Sequence, residues 1–97
     1  MKATVTEKHL DAAIALRGQI GTMISRVCIA AQVCKEVYGE IFDGCATGCI
    51  VTTNGDELKV TDEKFNNLIA KFDLNLYDSI RATLPMEVEL PEVPVTA

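Results

Sequence analysis

The sequence predicts an α+β domain in which a small, mostly antiparallel sheet packs with about three helices. Three observations carry that expectation. Asn54-Gly55 stands between two apolar-alternating runs, the pattern of a β-hairpin. Apolar residues recur with helical spacing in three separate stretches. Short runs of strand character lie near either end: β-branched Thr4, Val5 and Thr6, and the alternating Met86 to Leu90.

Taken in order, Ala3 to Thr6 forms the N-terminal strand. Thr6 then offers a capping hydroxyl and Glu7 an acid to the first turn of a helix over Glu7 to Arg17, ended near Gly18. A long helix follows from Thr22 to Tyr38. On a wheel, Ile20, Ile24, Val27, Cys28, Ala31, Cys34 and Tyr38 make one face, and Met23, Ala30, Val33 and Val37 widen it. Only Ser25, Gln32, Lys35 and Glu36 form a polar strip. A helix so nearly apolar all round is central in its fold or buried in an oligomer, and homo-oligomerisation is the expectation.

Gly39 to Gly48 reads as a loop. The central hairpin pairs Cys49–Thr53 with Asp56–Val60 through a two-residue type I′ turn, setting Val51 opposite Leu58 and Cys49 opposite Val60. Thr61 is expected to cap the next helix, with acids Asp62 and Glu63 at its positive dipole end. Phe65, Leu68, Ile69, Phe72 and Leu76 form its apolar stripe. After a break near Asp73–Asn75, a short helical turn covers Tyr77 to Thr83. Pro85 closes that turn, Met86–Leu90 forms the C-terminal strand, and Pro91 and Pro94 end regular structure. Residues 1–90 are therefore expected as a single domain and 91–97 as an extended, proline-containing acidic tail.

Composition excludes several function classes. The chain has 97 residues, 48% hydrophobic and 24% charged, with a formal net charge of −5, and a pI near 4.7. That balance argues against a partner such as DNA or RNA, whose phosphates call for clustered Lys and Arg. No stretch reaches the roughly 18 apolar residues of a membrane span. With no signal-peptide h-region after Met1, the expected location is cytoplasmic and the expected state of the cysteines is free thiol.

Cys28, Cys34, Cys45 and Cys49 lack the spacing of a zinc knuckle, and His9 stands far upstream of them. Cys28 and Cys34 read as small hydrophobes in an apolar helix. No metal and no cofactor is expected. The carboxylates Asp62-Glu63 are explained by the helix dipole, and Glu87 and Glu89 by a solvent-facing strand. Phosphate-loop, metalloprotease and serine-elbow motifs are absent, so no catalytic residue is assigned.

The few cations carry the ligand-binding expectation. Arg26 falls inside an apolar flank, where it either snorkels to water or meets an anion. Arg17 and Lys35 are the candidates to join it, with Tyr38 to stack on a base. A small anionic, nucleotide-type ligand held in a groove between subunits of an oligomer is one expectation. A host protein met by the acidic segment through Glu87, Glu89 and Glu92 is the other. From Met86 onward the chain holds three acids and no base, more than half of its net charge.

Val5–Leu10 (VTEKHL), Val27–Ala31 (VCIAA), Lys71–Asp73 (KFD) and Leu84–Pro91 together resemble small accessory proteins of tailed bacteriophages. The chain departs from that pattern at Ile29, where a proline would follow the cysteine. The resemblance implies a non-enzymatic protein in the host cytoplasm that counters host defence by binding. It either sequesters a nucleotide signal or inhibits a host protein; a minor virion component is the remaining alternative. The family has no catalytic residues to carry over.

Overall fold

Thr6 separates the first two elements. Before it, Lys2–Val5 forms strand β1; after it, Glu7–Arg17 forms helix α1, with Glu7 in the first turn and Gly18 at the C-cap. The computed structural model describes residues 1–19 and 21–93. Ile20 and residues 94–97, including Pro94, lie outside the described residues.

The single helix expected over Thr22–Tyr38 is two helices, α2 (Ile24–Val27) and α3 (Ile29–Tyr38). Cys28 interrupts them with extended backbone at φ −60°, ψ 166°. The break leaves few polar groups stranded. Cys28 N–H closes the last turn of α2 on Ile24 O, and Cys28 O accepts the first bond of α3 from Gln32 N–H. The Gln32 side-chain amide donates to Val27 O at 3.1 Å. Because residues on both sides stay apolar, a wheel drawn through the break mixes two helix faces.

α3 is the centre of the core. Ile29, Ala30, Ala31, Val33 and Cys34 are each at most 1% exposed. α3 packs against α1, α4 (Glu63–Asp73), β1 and strand β2 (Phe42–Ala46). Leu10 and Ala13 of α1 and Phe65, Leu68 and Phe72 of α4 supply buried side chains to the same cluster. Of the apolar surface that suggested self-association, the α3 part is largely covered within one chain, whereas Met23 stays 57% exposed.

Gly39–Gly48 is not a loop throughout. Gly39–Ile41 forms a 3-10 turn and Phe42–Ala46 forms β2. Asp43 and Gly44 hide the strand from a propensity reading. Gly44 suits a close approach: a Cβ at this position would lie 3.3 Å from Ser25 O, so a larger residue would push β2 and α2 apart by a few tenths of an ångström. β2 pairs antiparallel with β3 (Cys49–Thr52), and β3 with β4 (Glu57–Lys59).

The hairpin register is one residue off the expected one. Ile50 faces Leu58, and Val51 faces Glu57. Thr52 N–H donates to Asp56 O and Gly55 N–H to Thr52 O, closing a three-residue loop over Thr53-Asn54-Gly55. A type I′ turn needs positive φ at both central residues. Gly55 has φ 86°, but Asn54 is not positive, since Asn75 is the one such non-glycine among the described residues. A turn with a single left-handed glycine adds one residue to the loop. The shift puts Ile50 and Leu58 into the core together and leaves Val51 half-buried.

The cap of α4 is Asp62 rather than Thr61: its Oδ1 accepts from Lys64 N–H at 2.8 Å. α5 (Tyr77–Arg81) follows, and then β5 (Met86–Glu89). β5 does not join the hairpin sheet. It pairs antiparallel with β1, Lys2 opposite Glu89 and Val5 opposite Met86, as a separate two-stranded ribbon. The molecule is α+β with two antiparallel sheets. Asp62 also links its cap to this ribbon, its Oδ2 accepting from Glu89 N–H at 2.6 Å.

Candidate functional site

A Thr-x-x-His sequence builds the site locally. Thr6 N–H donates to His9 Nδ1 at 2.9 Å, and Thr6 Oγ1 lies 3.1 Å from the same nitrogen. This is a capping box in which histidine fills the place of Glu or Gln. Because a backbone N–H is donor only, Nδ1 is the acceptor, and the neutral ring carries its proton on Nε2.

His9 is 7% exposed. Its Nε2 lies 2.9 Å from Glu36 Oε2, whose side chain is 69% exposed. The distance is within hydrogen-bond reach, yet Nε2 makes no well-aligned hydrogen bond. A buried donor in that state is costly unless something else satisfies it.

The two residues lie in a cleft between α1 and α3 of about 370 Å³. Lys8, His9 and Ala12 form one wall, and Gln32, Lys35 and Glu36 the other. Each set follows the i, i+3 or i, i+4 spacing that places residues on one helix face. Ala12 leaves space where a longer side chain would fill it. With His9 neutral, the lining holds two ammonium groups and one carboxylate, a local excess of positive charge on a chain of net −5. The arrangement offers a small anion an imidazole N–H and two flexible cations. A neighbouring depression of about 480 Å³, lined by Thr6, Glu7, Lys8, Leu84 and Pro85, shares only Lys8 with the cleft.

Of the residues singled out in the sequence, Lys35 is the one in the cleft. Arg17 is occupied elsewhere: its guanidinium donates to the carbonyls of Phe72 and, at 3.3 Å, Asp73, and lies 3.3 Å from Tyr77 OH. It also sits 5.1 Å from the Phe72 ring centroid, so Arg17 closes the C-terminal end of α4. Arg26 belongs to α2, is exposed, and pairs with Asp43 at 3.3 Å. The break at Cys28 separates it from the α3 face assumed on the wheel.

Tyr38 is buried and donates to Pro91 O at 2.5 Å. Burial, with Cys34 nearby, pushes its hydroxyl pKa up. Its ring is part of the core rather than a free stacking platform. Glu87 and Glu89 point outward from β5, but Glu89 Oε1 is held by the Met1 ammonium at 3.0 Å. Glu92 is exposed beyond the strand.

The thiols contribute no metal site: among the described residues no group of three His, Cys, Asp or Glu is placed to hold an ion. All four cysteines are free. No helix of the described residues is long and apolar enough to cross a membrane.

Lys8, His9, Gln32 and Glu36 line the cleft without being among the binding residues expected from the sequence. The available signals were the capping-box spacing of Thr6 and His9 and the polar strip Gln32, Lys35, Glu36. Comparison with protein-family models, curated proteins and solved structures finds no match for this chain.

Proposed function

We propose that this chain is a binding protein, not an enzyme, that sequesters a small phosphate-bearing ligand of the nucleotide class in the α1–α3 cleft. The observation that carries this reading is His9: a buried imidazole whose Nε2–H lacks an aligned partner, between Lys8 and Lys35. A phosphate oxygen would accept from that N–H while the two ammonium groups close on it, and such charge-assisted bonds are stronger than neutral ones. Glu36 is the gate, since an incoming anion has to displace its carboxylate from Nε2. The volume suits a ligand of this class. The cleft is complete within one chain, so the reading needs no second copy. The resemblance to phage accessory proteins supplies the setting, removal of a host defence signal by stoichiometric capture.

Calorimetric titration with inorganic phosphate, adenosine monophosphate and a cyclic dinucleotide tests it. At least one should bind tighter than about 1 mM, a saturating dose should raise the melting temperature by mass action, and Lys8→Ala/Lys35→Ala should weaken binding at least about tenfold. Absence of binding by all three, or binding indifferent to both lysines, would overturn the proposal.

A further inference from the structure

Three of the four cysteines gather at one place in the core, away from the cleft. Cys28 occupies the one-residue break between α2 and α3, and Cys45 lies on β2. They are 17 residues apart in sequence, yet their sulfurs are 3.7 Å apart. Cys28 is fully buried and Cys45 is 3% exposed. Cys34 is buried in the same cluster and acts on the Cys45 thiol.

The backbones carrying the pair are pressed together where Gly44 meets Ser25 O. A disulfide needs its sulfurs about 2 Å apart and its α-carbons within about 7 Å. The sulfurs therefore have about 1.7 Å to travel from their present 3.7 Å. Cys28 has extended rather than helical backbone, so rotating its side chain does not require unwinding a turn. Such a bond would tie the junction of α2 and α3 to β2.

We infer that Cys28 and Cys45 are a two-electron redox pair, closed into a disulfide by a small peroxide. The contact with Cys28 lowers the Cys45 pKa, but Cys34 and burial outweigh it and push it up to about 12. Cys28 is raised further, first by its bond to Cys45 and then by burial. Either sulfur can be the donor of this contact, so the attack is open to either.

With Cys45 as the attacking sulfur, its thiolate attacks one peroxide oxygen, and the O–O bond breaks. The sulfur becomes a sulfenic acid, and the departing hydroxide takes up a proton as water. The Cys28 sulfur then attacks the sulfenic sulfur, forming the S–S bond. The displaced hydroxide leaves with the Cys28 proton as a second water. Two thiols and one peroxide give one disulfide and two waters. Burial limits the reaction to oxidants small enough to enter during local opening.

The experiment treats the native, full chain with hydrogen peroxide, removes the oxidant, denatures and alkylates it, and maps the peptides by mass. The expected product weighs about 2 Da less than the reduced chain before alkylation, with a cross-linked peptide joining Cys28 to Cys45. A cross-link between any other pair would overturn the inference. So would sulfinic or sulfonic acid without a cross-link, or Cys28 and Cys45 left as thiols at peroxide doses that oxidise half-exposed Cys49. Because the mapping is done on the unsubstituted chain, no variant has to fold.

Discussion

Glu36→Gln should tighten anion binding. In the free protein the carboxylate lies 2.9 Å from His9 Nε2. An anion bonded to that nitrogen would come within about 4 Å of the carboxylate, where two like charges repel by about 1 kcal/mol in water and about 4 kcal/mol at an effective dielectric near 20. The Glu36 side chain is 69% exposed, so the lower figure applies, and a gain of about 1 kcal/mol is roughly a fivefold tighter Kd. Glutamine keeps the length and removes only the charge. Titration of adenosine monophosphate into both proteins at low and high salt measures the effect, and the advantage should shrink as salt screens the cleft. Unchanged or weaker binding by Glu36→Gln at low salt would refute the reasoning, because Glu36 would then be a contact that the ligand uses, not a competitor it displaces.

Arg17→Ala should cost about 2 kcal/mol in urea unfolding, through lost charge-assisted bonds to the end of α4 and the lost ring contact, and leave phosphate affinity unchanged. Asp62→Ala should cost a similar ~2 kcal/mol, one part for the α4 cap and one for the Glu89 bond, with Asp62→Asn losing about half as much. Leu58→Ala should destabilise by about 3 kcal/mol and Val51→Ala by under about 1 kcal/mol in the same assay; similar losses would favour the register in which they face each other. Burial, and then the nearby Glu57 charge, raise the Cys49 thiol, disfavouring its reactive thiolate. Glu57→Gln should lower that pKa and speed Cys49 alkylation at pH 8; an unchanged rate would remove Glu57 as a cause.

The elements most legible in the sequence were those whose signals are local. Thr6, Glu7 and Gly18 delimit α1, and the stripe Phe65, Leu68, Ile69 and Phe72 is the buried face of α4. The break at Cys28 was invisible because a one-residue interruption between apolar segments leaves composition unchanged. β2 was hidden by Asp43 and Gly44, the latter chosen for its approach to Ser25. Asn-Gly located a turn but not its length, which depends on whether one or two residues adopt positive φ. For the site, half was in view. The polar strip of Gln32, Lys35 and Glu36 stood out on the wheel, whereas its opposite wall of Lys8, His9 and Ala12 follows only from α1 packing on α3. Arg17 and Tyr38 drew notice as rare side chains, and packing uses both.

The pairing of β1 with β5 has a consequence for how the protein comes into being. Leu90 N–H bonds to Met1 O at 2.7 Å, so this ribbon joins residues at the two extremes of the described chain. Such pairing closes a long loop, and distant contacts slow folding. During synthesis β1 emerges before β5 and waits until the helices and the hairpin between them have been made. Until β5 is available, Val5 lacks its cross-strand partner Met86, and Thr6, which fixes His9, is anchored on one side only. A nascent chain would thus hold most of its helices before the α1–α3 cleft was finished, and the cleft would take its full shape only once β5 had paired with β1.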